Sequence, residues 1–263
     1  LRSRPQCSVY LAIAPWQPFD MKLYQQLFGY LTTRFSAFPQ CRLFRLTPDE
    51  LPEGFESGVY KHDAIFGGIP FSEAFFASVV RGALRLHDVS RRKPLKVVAV
   101  DADNTLWRGV LGEDGIEGLL VEPCHAYLQE KLVSLRESGV LICLVTKNNP
   151  EDVEALFAQR VMPLRREHFT RILANWSPKS ESIRSLAADL SLGLDSFVFI
   201  DDNPLECAEV SDRCPMTKVV KLPSETDRLE FLQHLWLLDI GEVTDEDHRR
   251  AQMYEDELLR VAD

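Results

Sequence analysis

Between residues 96 and 223 the hydrophobic residues fall into short unbroken runs, separated by stretches with the apolar spacing of amphipathic helices. The runs KVVAVDAD, VLICLVTK, SFVFIDD and KVVKLP predict buried strands at 96–103, 140–147, 196–202 and 218–223. The stretches that alternate with them predict helices at 124–138, 149–159, 177–190 and 203–213. Wholly apolar strands that alternate with helices are typical of a parallel sheet covered on both faces, so the pattern predicts an α/β fold.

The residues before this region follow a different pattern. CSVYLAIA at 7–14 predicts a strand, and the segments at 20–35 and 72–87 predict amphipathic helices. The basic, proline-containing SRRKPLK at 90–96 predicts a linker. We therefore expect a smaller N-terminal α/β region at 1–93, a core at 94–240 and a helical segment at 241–263. The N-terminal region contains no pattern that indicates chemistry.

Composition narrows the possible functions. The formal net charge of −10 argues against a general nucleic-acid binder, and no apolar run is long enough to span a membrane. The six cysteines lie far apart without a CxxC pair, which favours free thiols in a reducing cytoplasm. The chain begins with Leu and ends inside a helical pattern without a stop signal, so we expect a fragment of a longer polypeptide.

The first strand of the core ends in the acidic motif DADNTLW. Asp101 and Asp103 are two residues apart, so an extended backbone directs both side chains to one side. One carboxylate can attack phosphorus, and a second can protonate the leaving oxygen and later activate water. Acids are common at strand ends, so a solvated turn explains this motif equally well when it is considered alone.

Polar residues at the other strand ends favour the catalytic interpretation over the solvated turn. The second strand ends at Thr146, Lys147 and Asn148, Lys179 opens a later helix, and the next strand ends at Asp201 and Asp202. A hydroxyl can hold a phosphoryl oxygen, an ammonium can neutralise aspartate and phosphate, and carboxylates suit Mg²⁺. A single Thr or Lys there is usually structural or solvated. The ordered set indicates phosphate chemistry at the carboxyl edge of the sheet.

The order DxDxT, T, K, DD resembles the haloacid dehalogenase (HAD) superfamily of Mg²⁺-dependent phosphotransferases. The resemblance implies a Rossmann-like parallel sheet of HAD type, with Asp101 as nucleophile and Asp103 as acid/base. It implies a substrate-binding set of Thr146, Lys147, Asn148 and Lys179. The implied metal ligands are Asp101, Asp103 through its carbonyl, and Asp201, with Asp202 less certain. The segment between Thr105 and the next helix is short, so little or no cap is expected, and an open site would admit a substrate carried on another protein.

The motifs DADNTLWRGVLGEDGIEGL, TKNNPEDV, NWSPKSESI and GLDSFVFIDDNPLECAEV look like the FkbH-like branch of this superfamily. Thr146 stands where much of the branch has serine, and the threonine side chain retains the hydroxyl. The resemblance implies a glyceryl transferase/phosphatase of polyketide biosynthesis. Such enzymes take 1,3-bisphosphoglycerate, remove phosphate and load a glyceryl group onto an acyl carrier protein.

A transfer of this kind fits a glyceryl thioester on an enzyme cysteine, and Cys207 is the first candidate. Asn203 and Pro204 predict a helix start that places Cys207 near a helix N-terminus, where the dipole favours a thiolate, although the adjacent Glu206 opposes it. A small buried packing residue is the alternative. Cys124 is the second candidate, and Cys143 lies within a strand and is expected in the core.

Two other functions remain open. One is a plain HAD phosphatase that acts on a small phosphometabolite or a phosphoprotein. The other is a non-catalytic interaction module that keeps the fold, against which the full acid set argues. For an acidic carrier protein, the candidate docking surfaces are two basic clusters, residues Arg91, Arg92, Lys93 and Lys96 and residues Arg165 and Arg166. Solvated linker and loop charges explain each cluster at least as well when it is considered alone.

Overall fold

A computed structural model of the chain describes residues 9–13, 21–37, 41–45, 73–241 and 254. The chain divides into two compact units, Leu1–Arg92 and Lys93–Asp263. The helical segment predicted at 241–263 lies outside the described residues except for its first residue and the helical Tyr254. The ends of the strand predicted at 7–14 and the first residue of the helix predicted at 72–87 also lie outside them.

The N-terminal unit contains a parallel pair of strands, β1 (Val9–Ile13) and β2 (Cys41–Arg45), with helix α1 (Met21–Phe35) between them in sequence. A parallel pair requires such a crossover, so this unit is α/β as expected. Helix α2 (Glu73–Arg91) continues past its predicted end, so the first part of the predicted linker is helical. Strand β2 was not predicted.

The C-terminal unit is built on a five-stranded parallel sheet in the order β5-β4-β3-β6-β7. Its strands are β3 (Val97–Val100), β4 (Leu141–Thr146), β5 (Arg171–Ala174), β6 (Phe197–Asp201) and β7 (Lys218–Lys221). Strands β3, β4 and β6 are buried along their whole length. The two edge strands are more exposed, as strands with one free side are expected to be.

Helices cover both faces of this sheet because successive residues of each strand point to opposite sides. Val98 and Val100 belong to one apolar cluster, together with residues of α4 (Pro123–Glu137), α5 (Pro150–Gln159) and α8 (Glu225–Gln233). Val97 and Ala99 belong to the other, together with residues of α6 (Lys179–Asp189) and α7 (Pro204–Arg213). The predicted α/β sheet with two covered faces is therefore confirmed.

The carboxyl edge of the sheet carries only short connections. Between β3 and α4 the chain forms helix α3 (Leu111–Gly118) and one antiparallel bridge between Arg108 and Leu120. Residues 175–178 alone connect β5 to α6. No additional domain is inserted at either place, as the prediction of little or no cap requires. Among the described residues, no helix has the length and hydropathy needed to cross a membrane.

Candidate active site

The pairing register places Asp101 and Asp201 next to each other at the carboxyl edge of the sheet. Val100 of β3 lies opposite Ile200 of β6, and each is followed directly by one of the aspartates. The backbone N–H of Asp101 donates to the carbonyl oxygen of Ile200 at 2.9 Å, which extends the strand pairing into the site. Two carboxylates that are far apart in sequence are therefore held together by the sheet itself.

Lys179 joins these two aspartates from the first turn of α6. Its Nζ lies 2.5 Å from Oδ1 of Asp101 and 2.7 Å from Oδ2 of Asp201. The Lys179 side chain is only 3% exposed, so its charge is balanced by these carboxylates and not by water. The predicted neutralisation of the aspartates by a lysine is therefore present in the geometry.

Glu206 adds a third carboxylate that the sequence reasoning did not assign to the site. It lies in the first turn of α7, and its Oε2 is 2.6 Å from Nζ of Lys179. Its Oε1 is 2.8 Å from Nζ of Lys147, so one carboxylate connects both lysines. The only signal in the sequence was an acid one helical turn beyond the aspartate pair, which is also a common position for a favourable charge at a helix N-terminus.

Burial is the main influence on the protonation of this cluster. Burial raises the pKa of Asp101 to about 8, with Lys179 opposing the shift and Asp201 adding to it. Burial likewise raises the pKa of Asp201 to about 6 against the effect of Lys179. Burial disfavours the charged form of Lys179, but Asp101 and Asp201 outweigh it, so the pKa of Lys179 lies above its usual value.

The donor set of this cluster fits a hard divalent cation. One oxygen from each of Asp101, Asp201 and Glu206 lies within 4.8 Å of the others. Three carboxylates surround the buried ammonium of Lys179, and Lys147 contacts only Glu206, so the carboxylates outnumber the lysines. All three donors are oxygens, which is the chemistry that Mg²⁺ prefers.

The side chain of Asp103 has hydrogen-bond partners that do not belong to this cluster. Its Oδ1 accepts from Nε1 of the buried Trp107 at 3.0 Å and from the backbone N–H of Leu111 at 3.1 Å. Its Oδ2 accepts from Nδ2 of Asn148 at 2.8 Å. Three donors fix this carboxylate in one orientation. Its side chain is not a member of the three-carboxylate group, so any metal contact from Asp103 falls to its carbonyl, as the family resemblance implied.

The remaining predicted substrate-binding residues follow β4. Thr146 is buried at the end of the strand, and its hydroxyl accepts from Nδ2 of Asn148 at 2.9 Å. Asn148 therefore connects Thr146 to Asp103 through one amide group. The half-exposed side chain of Lys147 pairs with Glu206 instead.

The second acid of the predicted pair, Asp202, contacts the segment that follows Asp103. The hydroxyl of Thr105 donates to Oδ1 of Asp202 at 3.4 Å. Burial raises the pKa of Asp202, and Arg228 opposes that shift. Asp202 is not part of the three-carboxylate cluster.

Cys207 lies beside the cluster but in an environment that disfavours its thiolate. As predicted, Asn203 caps α7, with its side chain accepting from the N–H of Leu205 at 2.9 Å, and Pro204 opens the helix. The thiol is buried and donates to the carbonyl oxygen of Asp201 at 3.6 Å. Burial, reinforced by Asp201, raises the pKa of Cys207 to about 12. This shift is opposite to the one predicted from the helix dipole, because desolvation and nearby acids outweigh the dipole.

Cys124 and Cys143 are also buried. Cys143 lies within β4 in the core, as expected, and burial raises its pKa to about 12. The Sγ of Cys124 lies 3.7 Å from Nδ1 of the adjacent His125, and burial raises the Cys124 pKa. Cys124, His125 and Glu122 hold donor atoms close enough for a metal. Arg108 pairs with Glu122 at 2.6 Å and Arg228 lies 3.1 Å from His125, so guanidinium groups already supply the positive charge there.

A cavity of about 310 Å³ opens beside the cluster. Its charged walls are Lys147, Lys179, Glu206 and Glu209, and its apolar walls are Trp176, Pro178 and Leu205. Lys179 and Glu206 belong to both the cavity and the carboxylate cluster. A ligand in the cavity therefore reaches the carboxylates directly.

Comparison with known proteins supports the fold. No protein-family model and no curated protein matches the chain. A crystal structure of the N-terminal part of the protein BF1531 from Bacteroides fragilis, which contains a phosphatase domain and is complexed with Mg, is 25% identical. The match covers 90% of this chain and 68% of that one, with a TM-score of 0.63.

More distant matches cover about half of this chain. A HAD family enzyme from Bacteroides thetaiotaomicron, in complex with magnesium and inorganic phosphate, is 13% identical over 50% of this chain and 96% of that one, with a TM-score of 0.39. A protein from Porphyromonas gingivalis that is described as a predicted HAD-like family hydrolase is 12% identical over 54% of this chain and 98% of that one, with a TM-score of 0.44. The fold of the C-terminal unit is the Rossmann-like α/β fold of HAD type that the sequence predicted.

Proposed function

We propose that this chain is a Mg²⁺-dependent phosphatase of HAD type that also transfers a glyceryl group from 1,3-bisphosphoglycerate to an acyl carrier protein in polyketide biosynthesis. The observation that carries the phosphatase part is the bridging of Asp101, Asp201 and Glu206 by the buried Lys179. The similarity to the Mg-complexed phosphatase domain of BF1531 supports the same reaction class. We place the reaction in the cytoplasm, which fits the free state of the four described cysteine side chains.

The residues proposed to hold Mg²⁺ are Asp101, Asp201 and Glu206, with the carbonyl of Asp103 as a further ligand. When bound, the ion would neutralise phosphoryl charge and polarise a phosphoryl oxygen. Lys179, held by the same three carboxylates, would supply a further positive charge for the phosphate. Thr146 and Lys147 complete the contacts proposed for the phosphoryl oxygens, and Asn148 holds Thr146 in place.

Phosphate release from the monoester follows from the two aspartates. An oxygen of Asp101 attacks phosphorus, the bond from phosphorus to the glyceryl oxygen breaks, and protonated Asp103 gives its proton to that oxygen. Water then attacks the aspartyl-phosphate while Asp103 takes the water proton. The bond between phosphorus and Asp101 breaks, which frees phosphate and restores both side chains. The three donors around Asp103 keep it oriented for both proton transfers.

Glyceryl transfer uses the acyl phosphate end of the donor. The thiolate of Cys207 attacks the carbonyl carbon, a carbon–sulfur bond forms, and phosphate leaves with the electron pair of the carbon–oxygen bond. The thiolate of the carrier then attacks this thioester, and Cys207 leaves as a thiolate. Cys124 is the second candidate for the same role.

A plain phosphatase that acts on a small phosphometabolite or a phosphoprotein is the second candidate function. The environment of Cys207 favours it, because a buried thiol with a pKa raised to about 12 is a poor nucleophile at neutral pH. The dephosphorylation steps are the same in both cases. The two functions differ only in whether a cysteine carries an acyl group.

Docking of an acidic carrier onto this acidic chain needs a local basic surface. Arg165 and Arg166 form one candidate, with exposed side chains that pair with Glu167 and Glu154. The cluster of residues 91, 92, 93 and 96 is the other. Exposed charges are screened within about 10 Å at 0.1 M salt. Transfer to the carrier should therefore slow as salt rises, and reversal of both Arg165 and Arg166 to Glu should slow it at low salt without changing phosphate release.

Intact-mass measurement of the protein after reaction with 1,3-bisphosphoglycerate tests the proposal. Asp101→Asn should stop phosphate release from the monoester and leave a phosphoglyceryl adduct, because an amide is a poor nucleophile toward phosphorus. Cys207→Ala should remove the adduct, whereas Cys143→Ala, at a core position, should keep it. Loss of the adduct only in Cys124→Ala would show that Cys124, and not Cys207, carries the acyl group. Phosphate release without any adduct would reject the transfer step and support the plain phosphatase function.

A further inference from the structure

The cavity beside the carboxylate cluster has two chemically different parts. The inner part is formed by the charged side chains of Lys147, Lys179, Glu206 and Glu209, each of which has a polar partner. Glu206 contacts both lysines, at 2.8 Å for Lys147 and 2.6 Å for Lys179. Glu209 accepts from the hydroxyl and the N–H of Ser180, at 2.5 and 3.2 Å. The outer part is formed by Trp176, Pro178 and Leu205, which carry no charge.

Two side chains of the outer part are unusually exposed for their size. Trp176 is 70% exposed and Leu205 is 78% exposed. Single exposed apolar residues are common, but here both lie on the wall of one cavity of the size that small-molecule sites have. We call Trp176 and Leu205 the apolar lip of the cavity.

The positions of the lip residues in the chain connect them to the reacting groups. Trp176 lies one short turn before Lys179, and Leu205 directly precedes Glu206. Both neighbours belong to the carboxylate cluster. An extended ligand that lies across the apolar lip therefore places one of its ends at the carboxylate cluster.

The charges of the cavity indicate which substrate lies where. An anionic phosphate donor is attracted to the lysines of the inner part, and nothing on the lip would bind a second anionic group. An uncharged, extended chain gains contact with Trp176 and Leu205 and loses no charge hydration there. The lip therefore suits the partner of the donor and not the donor itself.

We propose that the apolar lip binds the uncharged, thiol-bearing arm of the acyl acceptor, while the lysines of the inner part bind the anionic donor. This inference rests on the transfer function proposed above. It assigns Trp176 and Leu205 as specificity-determining residues for the acceptor. Recognition of the two substrates is then separable by mutation.

Steady-state kinetics with 1,3-bisphosphoglycerate as donor and free pantetheine as acceptor test this assignment. Trp176→Ala and Leu205→Ala should each raise the KM for pantetheine about 3- to 10-fold, the range that corresponds to aromatic and aliphatic contacts of roughly 1 kcal/mol. Phosphate release from the donor without acceptor should not change. Val161→Ala is the matched control, because Val161 is 90% exposed and does not line the cavity.

A binding measurement separates failure of this inference from failure of the transfer function. Pantetheine should change the tryptophan emission of the wild-type protein saturably, and Leu205→Ala, which keeps the Trp176 fluorophore, should weaken that binding by a similar factor. Such binding without thioester formation would reject the transfer and retain the lip as a site for a neutral chain. A rise in the KM of the donor in the lip variants, or no saturable binding of pantetheine, would overturn the inference. A lip effect on hydrolysis of phenyl phosphate alone would show that the lip binds an apolar part of the phosphate ester, which also overturns it.

Discussion

Nη1 of Arg228 donates a hydrogen bond of 2.7 Å to the backbone carbonyl oxygen of Asn104, the residue that follows Asp103. Asn104 has a φ of 55°, a left-handed conformation that few residues other than glycine adopt without support. Arg228 is only 3% exposed and also donates to the carbonyl oxygen of Pro223 through Nε and Nη2. One buried guanidinium therefore connects α8, the end of β7 and the turn that carries the proposed acid/base.

Arg228→Lys should lower kcat about 10-fold or more and reduce the free energy of unfolding by about 2–4 kcal/mol, because an ammonium cannot replace a planar fork of donors in a buried position. Phosphate-release kinetics and urea unfolding measure the two effects. Arg213→Lys, at an exposed position, is the control and should change neither. Unchanged kcat in a destabilised Arg228→Lys protein would make Arg228 a purely structural residue.

Trp107→Phe should lower kcat for phosphate release about 3- to 30-fold with little change in KM. The substitution keeps an aromatic ring in the core but removes the Nε1 donor that holds Oδ1 of Asp103. Asn148→Ala removes the donor to Oδ2 and should act in the same direction. Initial rates over a range of substrate concentrations give kcat and KM separately. A change in KM alone would contradict an orienting role.

Mg²⁺ should raise the melting temperature of the protein, and chelator should reverse the rise. A ligand at 100 times its Kd stabilises the folded state by about 2.7 kcal/mol. Asp201→Asn and Glu206→Gln remove one carboxylate each from the three-carboxylate group and should shrink the Mg²⁺-induced shift. Glu154→Gln, at an exposed position, serves as the control. An undiminished shift in Glu206→Gln would remove Glu206 from the ligand set.

Between about pH 6.5 and 4, His125 should lower the stability of the protein as pH drops, whereas Asp101 and Asp201, whose pKa values are raised, act in the opposite direction. Burial, with Arg228 and Arg108 adding to it, lowers the pKa of His125 to about 4. Below the pKa of the unfolded imidazole the unfolded chain binds a proton that the folded chain refuses, so this contribution is present above pH 6.5 and is lost as pH falls through the folded pKa.

The contribution of His125 amounts to at most about 3 kcal/mol. The charged groups that face it are Arg228 and Glu225 on α8, Glu122 before α4 and Arg108. His125→Gln should remove this contribution, so the unfolding free energy of the variant should fall less, or rise more, than that of the wild-type protein as pH drops over this interval, as measured by urea titrations at several pH values. Equal slopes for the two proteins would contradict a neutral buried His125.

The sequence predicted those parts of the fold whose burial is evident from their apolar composition. Strands β3, β4 and β6 are unbroken apolar runs because both their faces are covered. Strand β5, RILA, was missed because it is a short, half-exposed edge strand that begins with Arg171. The cap of α7 at Asn203 was predicted because capping depends on neighbours in sequence.

The parts of the site that sequence reasoning missed depend on tertiary contacts. Glu206 joins the cluster only because Lys179 and Lys147 reach it from other elements. Arg228 has the sequence appearance of a solvated charge on a polar helix, and its burial becomes evident only when α8 packs beside the turn of Asn104. The sequence left both a reactive and a buried Cys207 open, because desolvation cannot be derived from a helix start.

The register between β3 and β6 has a consequence for how the protein is made. Asp101 and Asp201 meet only when two strands from opposite halves of the C-terminal unit have paired, with Lys179 arriving from a segment between them. Pairing that is distant in sequence forms late, because the chain entropy of closing the loop is lost before the contact is gained. A ribosome-bound chain that ends before β6 would therefore hold Asp101 without the other carboxylates of the cluster. The three-carboxylate cluster can form only after β6 and the start of α7 have been made.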